Sequence, residues 1–213
     1  MEDVARRVVT RLFEDLVDGE GEPACALIRL YVTARHTDLE EHLRGLALAA
    51  APDVVADTRC LTLLASCGVE PAWNDRRSSQ RHQVLPLSDE ALVERLPMVA
   101  ALLKGMGIDL ASVVRPDPAE HAARSGRRYD LFFVPEAAGS ASVPDGEFVE
   151  RFGIRSTVGF GGVLPSGELF AVVMFARVTL TRAVAELLRS LALTVQALLV
   201  PHTYRLFERP APA

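Results

Sequence analysis

The chain has 213 residues, 49% of them hydrophobic and 24% charged, with a formal net charge of −5. That balance describes a globular protein with apolar material enough for its own core. It lacks the basic surplus of a nucleic-acid-binding domain, and three cysteines, an odd number, argue against a disulfide framework.

The N-terminal run MEDVARRVVTRLFEDL is charged throughout and has no signal-peptide core. Val4, Val8, Leu12 and Leu16 recur every fourth position, which predicts an amphipathic helix over 3–18. The breaker DGEGEP follows, then a strand over 24–32 with Ala24, Ala26, Ile28 and Leu30 on one side. Thr37 and Glu40 have capping-box spacing and open a helix in TDLEEHLRGLALAAA. RCLTLLASC (59–67) reads as a second strand, with a helix as the alternative for so short an apolar run. HQVLPL (82–87) suggests a short strand, and Ser88 caps a helix that Pro97 splits. Strands are expected over 108–116 and 128–136, then a short helix ended by Gly153. Residues 154–164 and 168–178 flank the turn PSG as a hairpin. A long helix over 181–200 carries the apolar stripe Val184, Leu187, Leu188, Leu191, Val195 and Leu198. No run of about 18 or more apolar residues marks a membrane span. The C-terminal hairpin makes the sheet largely antiparallel and the class α+β. One domain spans 1–205, and 206–213 is a disordered tail.

Residues 131–200 resemble a GAF domain. The run FVERFGIRSTVGFGGVLPSGELFAVVMFARVTLTRAVAELLRSLALTVQALL has that family's order of short helix, small residue, β-hairpin and long C-terminal helix. LFFVPEAAGSASVP looks like the family's stretch between an edge strand and the short helix, and the helix over 3–18 fits its first helix. The opening segment is similar to those of GAF-type sensory regions ahead of bacterial histidine kinases. The resemblance implies a GAF/PAS-like central antiparallel sheet of about six strands. Helices would cover one face, and a pocket would lie between the other face and its loops. It also implies a non-catalytic small-molecule sensor in bacterial-type signal transduction, homodimeric through its terminal helices. The chain shows no output domain, so such a sensor signals to a partner protein in trans or belongs to a longer chain. It has no cyclic-nucleotide signature, no Cys–His pair suited to bilin attachment and no visible match to the cysteine set of the free methionine sulfoxide reductases.

The polar stretch CGVEPAWNDRRSSQRHQVLPL (67–87) holds the single tryptophan. Trp73 can stack on a planar ligand, Asn74 offers a donor and an acceptor, and Arg76, Arg77 or Arg81 can fork onto a carboxylate or phosphate. His82 can serve as acid, base or metal ligand. A charged turn hung on one aromatic anchor accounts for the same residues without a ligand. Arg115 ends an expected strand, facing a pocket mouth or water. GFGG (159–162) precedes a strand, so it is no dinucleotide fingerprint. Its small residues fit tight twist or close approach. Phe160 on that strand and Phe132 on the one before complete the candidate ligand-binding set, with core packing as the competing role.

Cys25, Cys60 and Cys67 lie beside apolar residues, the setting of buried thiols in a reducing cytoplasm. Cys60 and Cys67, seven apart, point to opposite faces of one strand and make no zinc site. No metal site is expected, and no cofactor is assigned. A redox enzyme using Cys60 or Cys67 with His82, or a haem protein with one axial histidine, is the alternative on the same fold. A structural dimerisation module is the third reading. A small-molecule ligand and a second copy are the expected partners, nucleic acid and membrane are not, and the expected location is cytoplasmic.

Overall fold

The computed structural model describes residues 1–79, 82–115 and 131–207. Its strands are β1 Cys25–Arg35, β2 Arg59–Gly68, β3 Val84–Pro86, β4 Phe132–Val134, β5 Ser156–Val163 and β6 Leu169–Ala176. They form one antiparallel sheet in the order β3-β2-β1-β6-β5-β4. The expected hairpin joins β5 to β6. Gly167 supplies the positive φ its turn needs, +91°, and the Leu164 N–H donates to the Glu168 carbonyl at 2.8 Å.

Among the described residues the helices are α1 Glu2–Asp15, α2 Glu41–Ala50, α3 Glu90–Glu94, α4 Pro97–Gly105, α5 Leu110–Val114, α6 Gly146–Arg151, α7 Arg182–Arg189 and α8 Leu191–Leu199. They divide between the two faces of the sheet, where the resemblance implied helices on one face only, and the antiparallel pairing of every strand makes the class α+β. On one face Val4, Val8 and Val9 of α1 and Ala185, Val195 and Leu199 of α7 and α8 pack on Ile28, Leu30, Phe160 and Met174. Beside them α2 sets Leu43 and Ala47 against Ala34 and Cys60. On the other face the short elements α3 to α6 bring Val93, Leu102, Val113 and Val149 against Tyr31, Leu63, Val173 and Phe175. The central strands β1 and β6 come from opposite ends of the chain. The termini meet as well: the Met1 amino group donates to the Arg205 carbonyl at 2.8 Å, and the Glu2 N–H to the Leu206 carbonyl at 2.9 Å.

Bulges change which residues share a face. The β1–β2 register shifts between Leu30 and Tyr31, so Leu64 is an extra residue of β2. Cys67 then lies opposite Ile28 and Cys60 opposite Ala34, on the same side of β1. The two thiols therefore lie on one face of the sheet, Cys67 under the terminal helices and Cys60 under α2, against the expectation from simple alternation. A second shift between Cys25 and Leu27 in the β1–β6 pairing moves Ala26 away from the side of Ile28.

Several local expectations need correction. Segment 108–116 holds helix α5 rather than a strand, because Leu110 and Val113 one helical turn apart enter the core together. Asp89, not Ser88, caps α3, its carboxylate accepting from the Leu92 N–H at 2.8 Å. Thr37 lies in a 3₁₀ turn, His36–Asp38, so no capping box forms and α2 starts at Glu41. α1 ends at Asp15, and the helix over 181–200 breaks at Ser190, whose hydroxyl donates to the Leu187 carbonyl at 2.6 Å. Pro97 starts α4, as the expected split requires. Of the expected strand over 128–136, residues 128–130 lie outside the described residues. Leu206 and Phe207 of the expected tail pack against the terminal-helix core, and 208–213 lie outside the description.

The 21-residue segment Arg182–His202, through α7, α8 and the 3₁₀ turn after them, has a mean hydropathy of 1.6 in its most apolar window, of which only 17% is buried. By length and composition alone it is apolar enough to cross a membrane. Its buried side chains, Ala185, Val195 and Leu199, nonetheless hold it on the sheet.

Candidate functional site

The loop between β2 and β3 runs along an open sheet edge. β3 pairs only with Cys60, Leu61 and Thr62, which leaves the rest of β2 flanked by the loop. Trp73 turns onto the face under α6. Its ring centroid lies 4.5 Å from that of Phe152 and 5.9 Å from that of Phe148, and Phe148 meets Phe175 edge-on at 5.1 Å. Gly68 permits this seat: a β-carbon there would stand 2.7 Å from Trp73 Cε3 and 2.6 Å from the Ala26 carbonyl oxygen. The Asn74 side-chain oxygen accepts from the Gly68 N–H at 2.8 Å. The Gln83 amide donates to the carbonyls of Arg77 and Ser79 at 3.2 and 2.6 Å. The loop is thus braced from within, and Asn74 spends its acceptor on the fold.

The structure brings Trp73 and Asn74 together at the base of this loop and separates the other candidates. Arg77 and His82 are exposed, and His82 holds a positive φ of +64°. Arg115 is exposed where α5 ends. Phe132 is buried beneath α4, beside Gly159, where an added β-carbon would meet Leu102 at 2.5 Å. Gly159 of GFGG therefore admits a side chain of α4. Phe160 is fully buried among the residues under the terminal helices. That face is opposite the one carrying Trp73, so Phe160 is a core residue and leaves the candidate set.

Two arginines occupy the decisive places: Arg76, one of the three expected to fork onto an anion, and Arg29, which the expected set lacks; Arg81 lies outside the described residues. Arg76 is 5% exposed. Its guanidinium donates to both Glu2 oxygens, at 2.6 and 3.2 Å, and to Glu40 at 2.8 Å, and stands 4.9 Å over the Phe207 ring. Burial alone would lower its pKa, but its hydrogen bonds to the Glu2 and Glu40 carboxylates raise it instead. Nothing in sequence separates Arg76 from its neighbour Arg77.

Arg29 sits in the middle of β1 on the Trp73 side of the sheet. It donates to the Tyr31 hydroxyl at 3.3 Å and to the Ser79 hydroxyl at 3.2 Å. Its Nε is buried without a hydrogen-bond partner, as is the hydroxyl of Ser66, the residue directly across the β1–β2 ladder. Among the described residues no carboxylate pairs with Arg29. A sequence signal did exist here, since Arg29 is a lone charge inside the apolar run CALIRLYV.

The thiols show no activation. Burial pushes Cys25 up to about 12 and Cys60 up to about 11, and it raises Cys67 as well. Among the described residues no group of three or more His, Cys, Asp or Glu gathers to hold a metal.

The terminal-helix side has its own surface. Leu187, Leu193 and Leu198 are 71%, 52% and 47% exposed. Val4 and Val8 of α1 are buried, so α1 spends its stripe on the core, while α7 and α8 keep part of theirs outside. An open groove of about 980 Å³ runs between α1 and α8. Its arginines Arg6, Arg7 and Arg11 are paired with Asp3 and Asp15. The chain matches no protein-family model, no curated protein and no solved structure.

Proposed function

We propose that this chain is a GAF-like, non-catalytic sensory module that binds a small molecule on the Trp73 side of its sheet and acts as a homodimer in cytoplasmic signal transduction. The observation that carries this reading is the span of Arg76. It starts in a loop beside the Arg29 face and ends on Glu2 of α1, on Glu40 and over Phe207. A ligand that favours one arrangement of the loop thereby favours one arrangement of the termini. The six-stranded antiparallel sheet with the terminal helices on one face supports this reading, while the short helices α3 to α6 on the other face depart from the single helix-covered face that the GAF resemblance implies. Exposed Leu187, Leu193 and Leu198 supply an apolar stripe for a second copy. The raised thiol pKa values weigh against the redox reading.

Native mass spectrometry of freshly purified protein tests the proposal. The expected species is a dimer carrying a non-covalent small molecule that denaturing spectra lose. A ligand-free monomer that no metabolite stabilises against heat overturns it.

A further inference from the structure

We infer that Arg29 anchors an organic monocarboxylate on the sheet face beneath the Trp73 loop. The inference rests on the ligand-binding reading above and adds the chemical class of the ligand and the residues that take its charged end.

A guanidinium has five N–H donors and stays charged at every physiological pH. Inside a protein such a charge is ordinarily paired, because desolvating it alone is costly. Arg29 has two neutral hydroxyl acceptors, Tyr31 and Ser79, and a buried Nε with none. The donors around it are incomplete in a complementary way. Ser66 is 5% exposed, and its hydroxyl is unpartnered. Directly opposed residues in an antiparallel pair hold their β-carbons about 4.5–5.5 Å apart, so Ser66 and Arg29 leave the same face of the sheet side by side. The Tyr31 hydroxyl accepts from Arg29 and keeps its own proton to donate. A carboxylate placed there accepts from the Arg29 fork with one oxygen and from a hydroxyl with the other.

The surroundings favour a single negative charge on an apolar body. Arg76, the buried cation of the adjoining loop, is already committed to Glu2 and Glu40. The neighbours of Arg29 on this face are Leu27 and Tyr31 along β1 and Val173 across on β6, with Phe175 one pair further. One guanidinium balances a monoanion, and the apolar neighbours receive a hydrocarbon or aromatic body.

The test uses the full chain with benzoate, hexanoate and inorganic phosphate as probes, read by calorimetric titration and thermal shift at low salt. The variants are Arg29→Met, Arg29→Lys and Ser66→Ala. The expected result is that carboxylates bind the wild type and phosphate does not, with affinity falling about tenfold or more in Arg29→Met. Ligand-free Arg29→Met should unfold at the same or a higher temperature than wild type, because it removes an unpaired charge. That readout guards against a variant that merely fails to fold. Binding of phosphate alone overturns the inference. So does a native spectrum in which Arg29→Met retains the same small molecule as wild type, and that result leaves the ligand-binding reading standing. Absence of any retained or bound small molecule in the wild type overturns both.

Discussion

Arg76 Nε lies 2.6 Å from a Glu2 carboxylate oxygen, joining residues 74 positions apart and fixing the β2–β3 loop to the first turn of α1. Its other nitrogen reaches Glu40, so one side chain closes three segments. Replacement by alanine leaves two carboxylates facing each other without their cation. Because Glu2 and Glu40 remain partly exposed, the cost falls below that of a fully buried pair, about 2–4 kcal/mol. The thermal midpoint should drop by roughly 4–16 °C. Arg76→Lys should recover little, since one ammonium cannot reproduce the forked contacts. Differential scanning calorimetry of the three proteins checks this, and an unchanged midpoint in Arg76→Ala would refute it.

The single tryptophan makes its own seat observable. Gly68→Ala should drive the Trp73 ring from the Phe148–Phe152 cluster, at a cost of about 1–3 kcal/mol for overpacking. Emission should shift to longer wavelength as the indole meets water. Trp73→Phe should cost less than Trp73→Ala, because a smaller ring keeps part of the cluster. Identical emission from Gly68→Ala and wild type would show that the ring does not depend on this glycine.

The thiols set an alkaline limit. Cys25 at about 12 and Cys60 at about 11 hold their protons where an unfolded thiol, at about 8.5, releases its own. The folded pKa is the higher one. The stabilisation is therefore complete below the unfolded value and lost as pH rises through the folded values. The urea midpoint should hold from pH 7 to about 8.5 and fall steadily beyond it. At pH 8 a thiol reagent should leave Cys25 and Cys60 unmodified in native protein and label them after denaturation. Rapid native labelling of Cys60 would revive the thiolate chemistry that its burial disfavours.

The exposed stripe of α7 and α8 predicts an association that single charges break. Leu187→Glu with Leu198→Glu should convert a dimer to a folded monomer in sedimentation velocity, with unchanged circular dichroism. Both side chains lie largely outside the core, so stability should change by no more than about 0.5 kcal/mol per site. A wild-type monomer at tens of micromolar would remove the stripe from the dimer proposal.

Elements whose periodicity is long or whose turn chemistry is explicit are legible in the order of the amino acids alone. The β5–β6 hairpin followed from two apolar runs around PSG, the split at Pro97 from a missing N–H, and the α+β class from their order. Short apolar runs were ambiguous, which is why α5 read as a strand: five residues carry too little period to separate 3.6 from 2. Faces and partners emerge once the chain is folded. A one-residue bulge at Leu64 put Cys60 and Cys67 on the same side, and no pattern in RCLTLLASC announces it. The polar cluster after Gly68 was visible as a cluster, and Trp73 as its anchor. Choosing Arg76 over Arg77 required knowing that Glu2 and Glu40 arrive from elsewhere in the chain. Arg29 was legible as a misplaced charge, but that no carboxylate among the described residues pairs with it is a property of everything packed around it. Local sequence sets backbone preference over a few residues, whereas the pairing of buried charge depends on long-range contacts that only the folded chain makes.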